Sequence, residues 1–408
     1  MQQNKAIGLL SIPVIVAALG YFVDIYDLLL FSIIRVKSLK GLGLSSALID
    51  TDGKFIISIQ MFGLLLGGIL WGIIGDKKGR LNVLFGSIIL YSLANIANGF
   101  VQTVNQYAFA RFVAGVGLAG ELGAGITLVS ELISKEKRSK ATSVVAGVGL
   151  TGAVAAYFIS KTFDDWRICY YIGGGLGLCL LMLRVSVFES GMYENIMKTT
   201  VSKGNFLMFF SNRKRFKKYI LAILIGLPTW YVIGILITFS KEFGEQFGIK
   251  EPVDTGKAVM LAYVAISLGD LLIGFLSHEL KSRKMALYIF YAFTILGIFL
   301  YFSASNNSLN SMYYICVIMG FGTGFWALFV TMAAEHFGTN LRATAATTVP
   351  NMVRGSLPLI IILFNSLKPR FGYIHSGAIT GVIVMAISTV AVFLTEETFG
   401  KDLNFLEK

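Results

Sequence analysis

The sequence predicts an all-α membrane protein of twelve transmembrane helices in two six-helix bundles, on three observations. Only 14% of the 408 residues are charged and 55% are hydrophobic, whereas ordinary soluble chains carry about 25% charged residues. Apolar runs close to the roughly 20 residues that a helix needs to cross a bilayer recur throughout. A polar stretch from Glu189 to Lys218 divides those runs into two sets of six.

Taken in order, the first set falls near 11–34, 55–74, 81–100, 107–130, 141–160 and 168–188. The second falls near 219–240, 257–277, 285–303, 311–333, 343–365 and 373–394. The chain therefore divides into a first bundle at 1–188, a cytoplasmic linker at 189–218, and a second bundle with a short cytoplasmic tail at 219–408. Forty-four glycines against six prolines fit packed membrane helices, because glycine lets two backbones approach closely.

Loop charge sets the orientation, since cytoplasmic loops are enriched in Lys and Arg. With the N-terminus inside, eighteen basic residues fall on the cytoplasmic side and eleven outside. This predicts a multi-pass plasma-membrane protein, of the bacterial inner-membrane kind, with both termini cytoplasmic. Arg35, Lys37, Lys40 and Lys54 of the first outer loop run against the trend. The net charge of +12 has the same origin and implies no nucleic-acid partner. The cluster Arg213 to Lys218 either anchors the topology or contacts anionic lipid head groups. The first apolar run is too long for a signal-peptide core and has no small-residue cleavage site, so no cleavable signal is expected.

An ionisable side chain at bilayer depth costs roughly 2.5–3.5 kcal/mol on insertion scales, so it normally faces a protein interior or a watery cavity. Six stand out within the runs: Asp24, Asp27, Arg111, Glu121, Asp270 and Arg354. Asp24 and Asp27 are three residues apart and so share a helix face, which is the expected functional centre. At about 1.5 Å per residue, Asp27 lies roughly 24 Å above the inner end of its helix. Arg111, near the outer end of a descending helix, reaches a similar height in a core about 30 Å thick, so the two can pair. That pair either couples protons or fixes helix packing, and Asp24 is the alternative proton site.

Glu121 lies about 15 Å deeper than Arg111 and reads as a gate or a packing acid. Asp270 reads as structural, with basic residues of neighbouring loops as partners. Arg354, with Asn351 one turn earlier, suits a substrate anion or a structural pair. Tyr21, Gln60 and Trp230 lie near mid-span beside polar positions and complete the candidate site, whereas Tyr231, Tyr263 and Trp326 read as packing or interfacial rings. Cys169, Cys179 and Cys316 have no pairing or ligand spacing and are expected as packed thiols. His278, His336 and His375 are too scattered for a metal site, with surface or capping roles expected.

Two segments, Gly115-Val-Gly117-Leu-Ala-Gly120 and Gly147-Val-Gly149-Leu-Thr-Gly152, fit the dinucleotide spacing G-x-G-x-x-G. That motif needs a preceding strand and a soluble βαβ unit. Both segments sit inside apolar runs, so they read as close-packing helix surfaces. No phosphate loop of the form G-x-x-x-x-G-K-[ST] occurs, and no His, Cys, Ser or acidic group shows the convergent spacing of a membrane enzyme.

The loop after the second run reads Gly72-Ile-Ile-Gly75-Asp76-Lys77-Lys78-Gly79-Arg80. It resembles the G-x-x-x-D-[RK]-x-G-R signature of the major facilitator superfamily. A weaker echo, Gly274 to Lys284, follows the eighth run, as an internal repeat requires. Arg111 to Glu121 is similar to the fourth-helix pattern of the superfamily's metabolite–proton symporters, and Glu131 to Arg138 to the loop that follows it. Asp165-Trp166-Arg167, Glu189-Ser190, Glu335 to Thr344 and Glu397 to Leu403 extend the resemblance over nearly the whole chain. Asp24-Ile-Tyr-Asp27 looks like the D-x-x-D of aromatic-acid and related symporters, with Ile where those often have Gly. The fifth run lacks the Gly-Pro pair typical of drug–proton antiporters.

The resemblance implies the major facilitator fold and a monomeric secondary transporter, not an enzyme, with no cofactor. Its partners would be a small-molecule substrate, protons and membrane lipids. It implies proton-coupled uptake of a small polar metabolite (an organic acid, amino acid or zwitterion) by alternating access. The rival readings are a proton-driven exporter of a drug or secreted metabolite such as a siderophore and, from another class, a polytopic membrane enzyme. Proton coupling falls to Asp27, Arg111 and Asp24, and substrate binding to Tyr21, Gln60, Trp230, Asn351 and Arg354. Gating falls to Gly72, Asp76, Gly79, Arg80, Glu121, Glu131 and Arg138.

Overall fold

The structure is a computed structural model that describes residues 11–78, 80–121, 145–188, 206–303 and 308–401. Among them the chain forms helices and connections, with no strand. In the first half these are α1 (Ile12–Gly41), α2 (Ser46–Lys78), α3 (Arg80–Asn98), α4 (Val104–Leu118), α5 (Gly152–Thr162) and α6 (Trp166–Phe188). A 3₁₀ turn at Phe206–Phe209 leads into the second half. There follow α7 (Arg213–Tyr231), a π-helical segment (Val232–Ile237), α8 (Ser240–Gln246), α9 (Thr255–Glu279) and α10 (Arg283–Ser303). α11 (Leu309–Gly322), α12 (Trp326–Glu335), α13 (Thr339–Gly355) and α14 (Leu357–Leu394) complete the chain.

Nine helical stretches among the described residues are long and apolar enough to cross a bilayer. The shorter Asn82–Asn98 and the helix from Val104 supply two more crossings. The last stretch, 344–394, divides at Gly372, whose φ of 72° is outside the helical range. The expected twelve crossings are consistent with these stretches, although several ends moved. α1 and α2 run beyond the hydrocarbon length, so Arg35, Lys37, Lys40 and Lys54 are helical residues rather than loop residues.

Side-chain caps open several helices. Thr103 accepts the N–H of Gln106, Asn212 that of Lys214 and Ser308 that of Ser311, each cap being worth about 1 kcal/mol. Breaks concentrate in the second half. Pro228 removes a backbone donor inside α7, and the helix continues as the π segment. Thr323 to Phe325 interrupt the tenth crossing.

α3 packs between α4 and α6, and α1 against α5 and α6, to form the first bundle. α9, α10 and α11, with α7 packed on α13 and α14, form the second. The bundles meet where α2 lies on α13 and α14, and where α1 and α5 lie on α9. Large apolar side chains such as Phe158, Phe275, Leu359 and Phe393 are exposed and face the lipid that would surround the protein. Cys169 and Cys316 are buried, but Cys179 is exposed, against the expectation of packing. His336 is buried rather than superficial.

The glycine motifs pack closely, as their apolar setting predicts. A Cβ on Gly117 would lie 2.7 Å from the Tyr91 backbone nitrogen, and one on Gly115 or Gly152 would strike the backbone oxygen of Gln60 or Phe22. Gly147, by contrast, faces open space. Gly117→Ala is expected to lower stability by about 1–3 kcal/mol through overpacking, while Gly147→Ala leaves it unchanged or slightly raised. Thermal unfolding of the two variants in one detergent checks this.

The tail docks on the start of α10. Burial disfavours the charged Glu397 carboxylate, but hydrogen bonds from Ser282 Oγ and from the backbone N–H groups of Phe399, Arg283 and Lys284 outweigh it and hold its pKa down to about 2. The folded pKa lies below the unfolded one, so this contribution is complete above about pH 4.5 and fades as pH falls toward 2. Hydrogen-exchange protection at residues 395–401, taken relative to the intrinsic rate at each pH, is expected to fall over that window in the wild type but stay flat in Glu397→Gln.

Candidate functional site

Asp24 and Asp27 are both fully buried on α1, yet their surroundings differ. Asp27 is enclosed within the first bundle. Arg111 of α4 donates from Nη1 to Asp27 Oδ1 at 2.8 Å and from Nη2 to its backbone oxygen at 3.0 Å. The remaining Arg111 donors reach Asn95 Oδ1 at 3.1 Å and Gln60 Oε1 at 3.3 Å. Gln60 in turn donates to the Leu28 carbonyl oxygen at 3.3 Å, so both ends of its amide are engaged. The Tyr170 ring lies 5.5 Å from the Arg111 guanidinium, and its hydroxyl is 2.7 Å from that of Tyr107. Truncating one partner of such a buried pair typically costs 3–5 kcal/mol.

Asp24 is left differently. Neither of its carboxylate oxygens has a hydrogen-bond partner among the described residues. The nearest cation is Arg354 of α13, in the other bundle, with Nη2 4.0 Å from Oδ2. Arg354 is itself buried, and its Nε and Nη1 have no partner among the described residues. The Trp326 ring at the start of α12 lies 5.7 Å from the guanidinium. A buried cation with unpaired donors, facing an unpaired acid across an interface between bundles, can receive a ligand carboxylate.

The other expected site residues fall at or near this interface. Asn351 donates to the Ala119 carbonyl oxygen of the first bundle at 2.9 Å and leaves its own Oδ1 unpartnered among the described residues. Gly68 of α2 leaves room for it, since a Cβ there would lie 2.7 Å from Asn351 Cβ. Tyr21, one turn before Asp24, is almost fully buried and packs against Gly149. Trp230 is buried on the last turn of α7 beside Pro228, and its Nε1 has no partner among the described residues.

Among the expected gating residues, Gly72 lies against α13, where an added Cβ would touch Thr348 Cγ2 at 3.4 Å. The structure describes the backbone but not the side chains of Asp76 and Arg80, and Gly79, Glu131 and Arg138 lie outside the described residues. Glu121 pairs with Arg184 of α6, whose Nη1 is 3.0 Å from Oε2. Gly20 of α1 makes room for that pair, because any side chain there would collide with both groups. The six acids and bases singled out from the sequence omitted Arg184, although it lies inside the sixth apolar run. In the second half, Arg283 of the weaker loop motif pairs with Glu335 at 3.1 Å. Asp270 takes the N–H of Ala327 at 2.9 Å, not a basic loop residue. Among the described residues no three His, Cys, Asp or Glu side chains are placed to hold a metal ion.

At the end of the molecule that carries the α1–α2 and α5–α6 connections, ion pairs join the bundles. Arg35 of α1 reaches both carboxylate oxygens of Glu242 in α8, at 2.7 and 2.8 Å. Asp50 of α2 holds Lys54 and accepts from the Tyr373 hydroxyl at 3.2 Å, with Lys368 3.6 Å away. Lys161 of α5 meets Asp254 at 2.8 Å, and the same aspartate caps α9. Phe239 is sandwiched by Arg35 and Lys54, 4.4 and 4.8 Å from its ring centre. None of these pairs was legible in the sequence, where the basic members counted only as loop charge. Glu242→Gln is expected to loosen this end. In a background lacking the three native cysteines, maleimide labelling of a Phe239→Cys thiol should then rise severalfold, and unchanged labelling would show that the pair does not hold this end shut.

Comparison with known proteins agrees with this architecture. The profile of the Major Facilitator Superfamily matches residues 17–361. The chain is 25% identical to the niacin transporter NiaP of Acinetobacter baylyi, covering 95% of this chain and 94% of that one. It is 26% identical to the cis,cis-muconate transport protein of the same organism, over 84% of each chain. Among solved structures, a D-xylose-proton symporter superposes with a TM-score of 0.69 at 16% identity, covering 96% of this chain and 99% of that one. The chain therefore belongs to the Major Facilitator Superfamily, and is a multi-pass membrane transporter rather than an enzyme.

Proposed function

We propose that this transporter takes up a small polar metabolite bearing a carboxylate, an organic acid, amino acid or other zwitterion, together with protons. The observation that carries the reading is the incomplete Asp24–Arg354 pair, 4.0 Å apart across the bundle interface. Ionised Asp24 holds Arg354. Protonated Asp24 releases it to a substrate carboxylate, so proton and substrate favour each other's binding, as linkage requires. The pair spans two rigid bodies, and its occupancy therefore biases their relative position, which is the basis of alternating access.

In this reading Asp27 and Arg111 support the proton site from within one bundle, since they already bond each other directly at 2.8 Å. Arg354, Asn351, Trp230 and Tyr21 face the substrate, and Gln60 acts through Arg111. Gly72, Asp76, Gly79, Arg80, Glu121, Glu131 and Arg138 act at the opposite end from the ion-paired one. The bundles run from 1 to 188 and from 219 to 408, joined by the linker at 189–218. Both termini lie in the cytoplasm, so the ion-paired end faces outward, and the protein works as a monomer in the inner membrane. The names of the two transporters give niacin and cis,cis-muconate as cargo, and both molecules carry carboxylates.

Purified protein in liposomes tests this with labelled nicotinate and cis,cis-muconate. Wild type is expected to accumulate at least one of them uphill under an inward proton gradient, and outward accumulation would mark an exporter instead. Asp24→Asn should keep counterflow but lose uphill accumulation by at least tenfold, whereas Asp27→Asn should impair both. An Asp24→Asn protein that still accumulates substrate under the gradient would remove the proton role.

A further inference from the structure

Asp270 has no part in the coupling scheme above, yet it stands one step from the site. The tenth crossing is broken: α11 ends at Gly322 and α12 begins at Trp326. A helix start leaves backbone N–H groups without intrahelical partners, and inside a membrane each orphan costs several kcal/mol. The Asp270 carboxylate of α9 answers one of them, accepting from the Ala327 N–H at 2.9 Å. Its negative charge also suits the positive end of the helix. The contact depends on two backbones touching, since a Cβ on Gly269 would lie 3.0 Å from Gly324 Cα.

The capped end carries a functional side chain. Trp326 is the first residue of α12, and its ring lies 5.7 Å from the Arg354 guanidinium. Its Nε1 has no partner among the described residues, like Nε and Nη1 of Arg354. The chain of contacts thus runs from Asp270 through the start of α12 to Trp326, then to Arg354, and across the interface to Asp24.

We propose that Asp270 is a positioning residue: by capping α12 it fixes Trp326 over Arg354 and thereby sets affinity for the substrate carboxylate without touching it. The affinity part rests on the reading of Arg354 as the carboxylate site. The positioning part does not. A cap needs an acceptor at the right reach and not a proton carrier, so a neutral acceptor of equal length serves and a longer acid does not.

The test uses the full chain in lipid nanodiscs, labelled with 5-fluorotryptophan at its four tryptophans, with the Trp326 resonance assigned from Trp326→Phe. Asp270→Ala should shift or broaden that resonance, and Asp270→Asn should leave it in place. In liposomes, Asp270→Ala should raise the KM for labelled nicotinate counterflow about tenfold at nearly unchanged maximal rate, as expected for loss of one buried hydrogen bond. Asp270→Asn should restore it. Should the Ala variant fail to fold, Asp270→Glu decides, since it keeps the charge but overreaches the helix start and should disturb both readouts.

A silent Trp326 resonance in Asp270→Ala or Asp270→Glu overturns the proposal. So does an Asn variant that behaves like Ala, because charge and not capping would then matter. If wild type carries no labelled nicotinate, the assignment of this acid as cargo fails on its own, and the fluorine spectra still decide the positioning.

Discussion

A charge buried in the hydrocarbon layer has no water to turn to, so every acid and base there must be matched by other polar groups. In this transporter the in-span acids and bases of the first bundle meet directly, and those that face each other between the bundles stop short. Arg111 spends its donors on Asp27, Asn95 and Gln60, all in the first bundle. Glu121 and Arg184 close on each other in the same bundle. Asp24 and Arg354 belong to different bundles and stop at 4.0 Å, with acceptors and donors left over. The direct pairs lie within one bundle, and the open pair sits at the seam.

The contacts at the seam differ in kind from those inside the bundles. Within bundles, glycines bring backbones into contact, as where Gly117 meets Tyr91 and Gly320 meets Ala262. Between bundles, the contact is split into a small-residue patch around Gly68, Gly72 and Asn351 and an ionic set at one end. Of the ion pairs, Lys161–Asp254 is open to water and exchanges with it readily, whereas Arg35 of the Arg35–Glu242 pair is buried. The helices of the second bundle add another freedom. Two of its crossings are interrupted, at Pro228 and the π segment and at Thr323 to Phe325. Irregular backbone at bilayer depth persists where protein or a cavity supplies the missing hydrogen bonds, and Asp270 supplies one here.

Much of the site was legible residue by residue. The in-span charges were conspicuous because they are costly, and the Asp27–Arg111 pair followed from counting rise along two helices. Gln60 was found for its polarity, but it backs Arg111 where a ligand contact was expected. Arg184 was missed although it lies inside an apolar run, since a base near a helix end reads as an interfacial anchor. Glu242 and Asp254 gave no signal, because an acid beside an aqueous loop is ordinary until its partner from another helix is known.

The sequence by itself determined the class and the membership of the superfamily, because hydropathy, span length and loop motifs are properties of local stretches. It also determined which polar groups had to be buried. The tertiary structure alone decided how those groups divide, with Arg111 bonded directly to Asp27 and no hydrogen-bond partner for Asp24 among the described residues. It also decided that Asp270 serves a helix end and that Arg35 crosses to Glu242. The reason is geometric: pairing depends on rotation about helix axes and on bundle contact. Two residues can share a depth yet face different neighbours, and depth is all that counting along the chain provides.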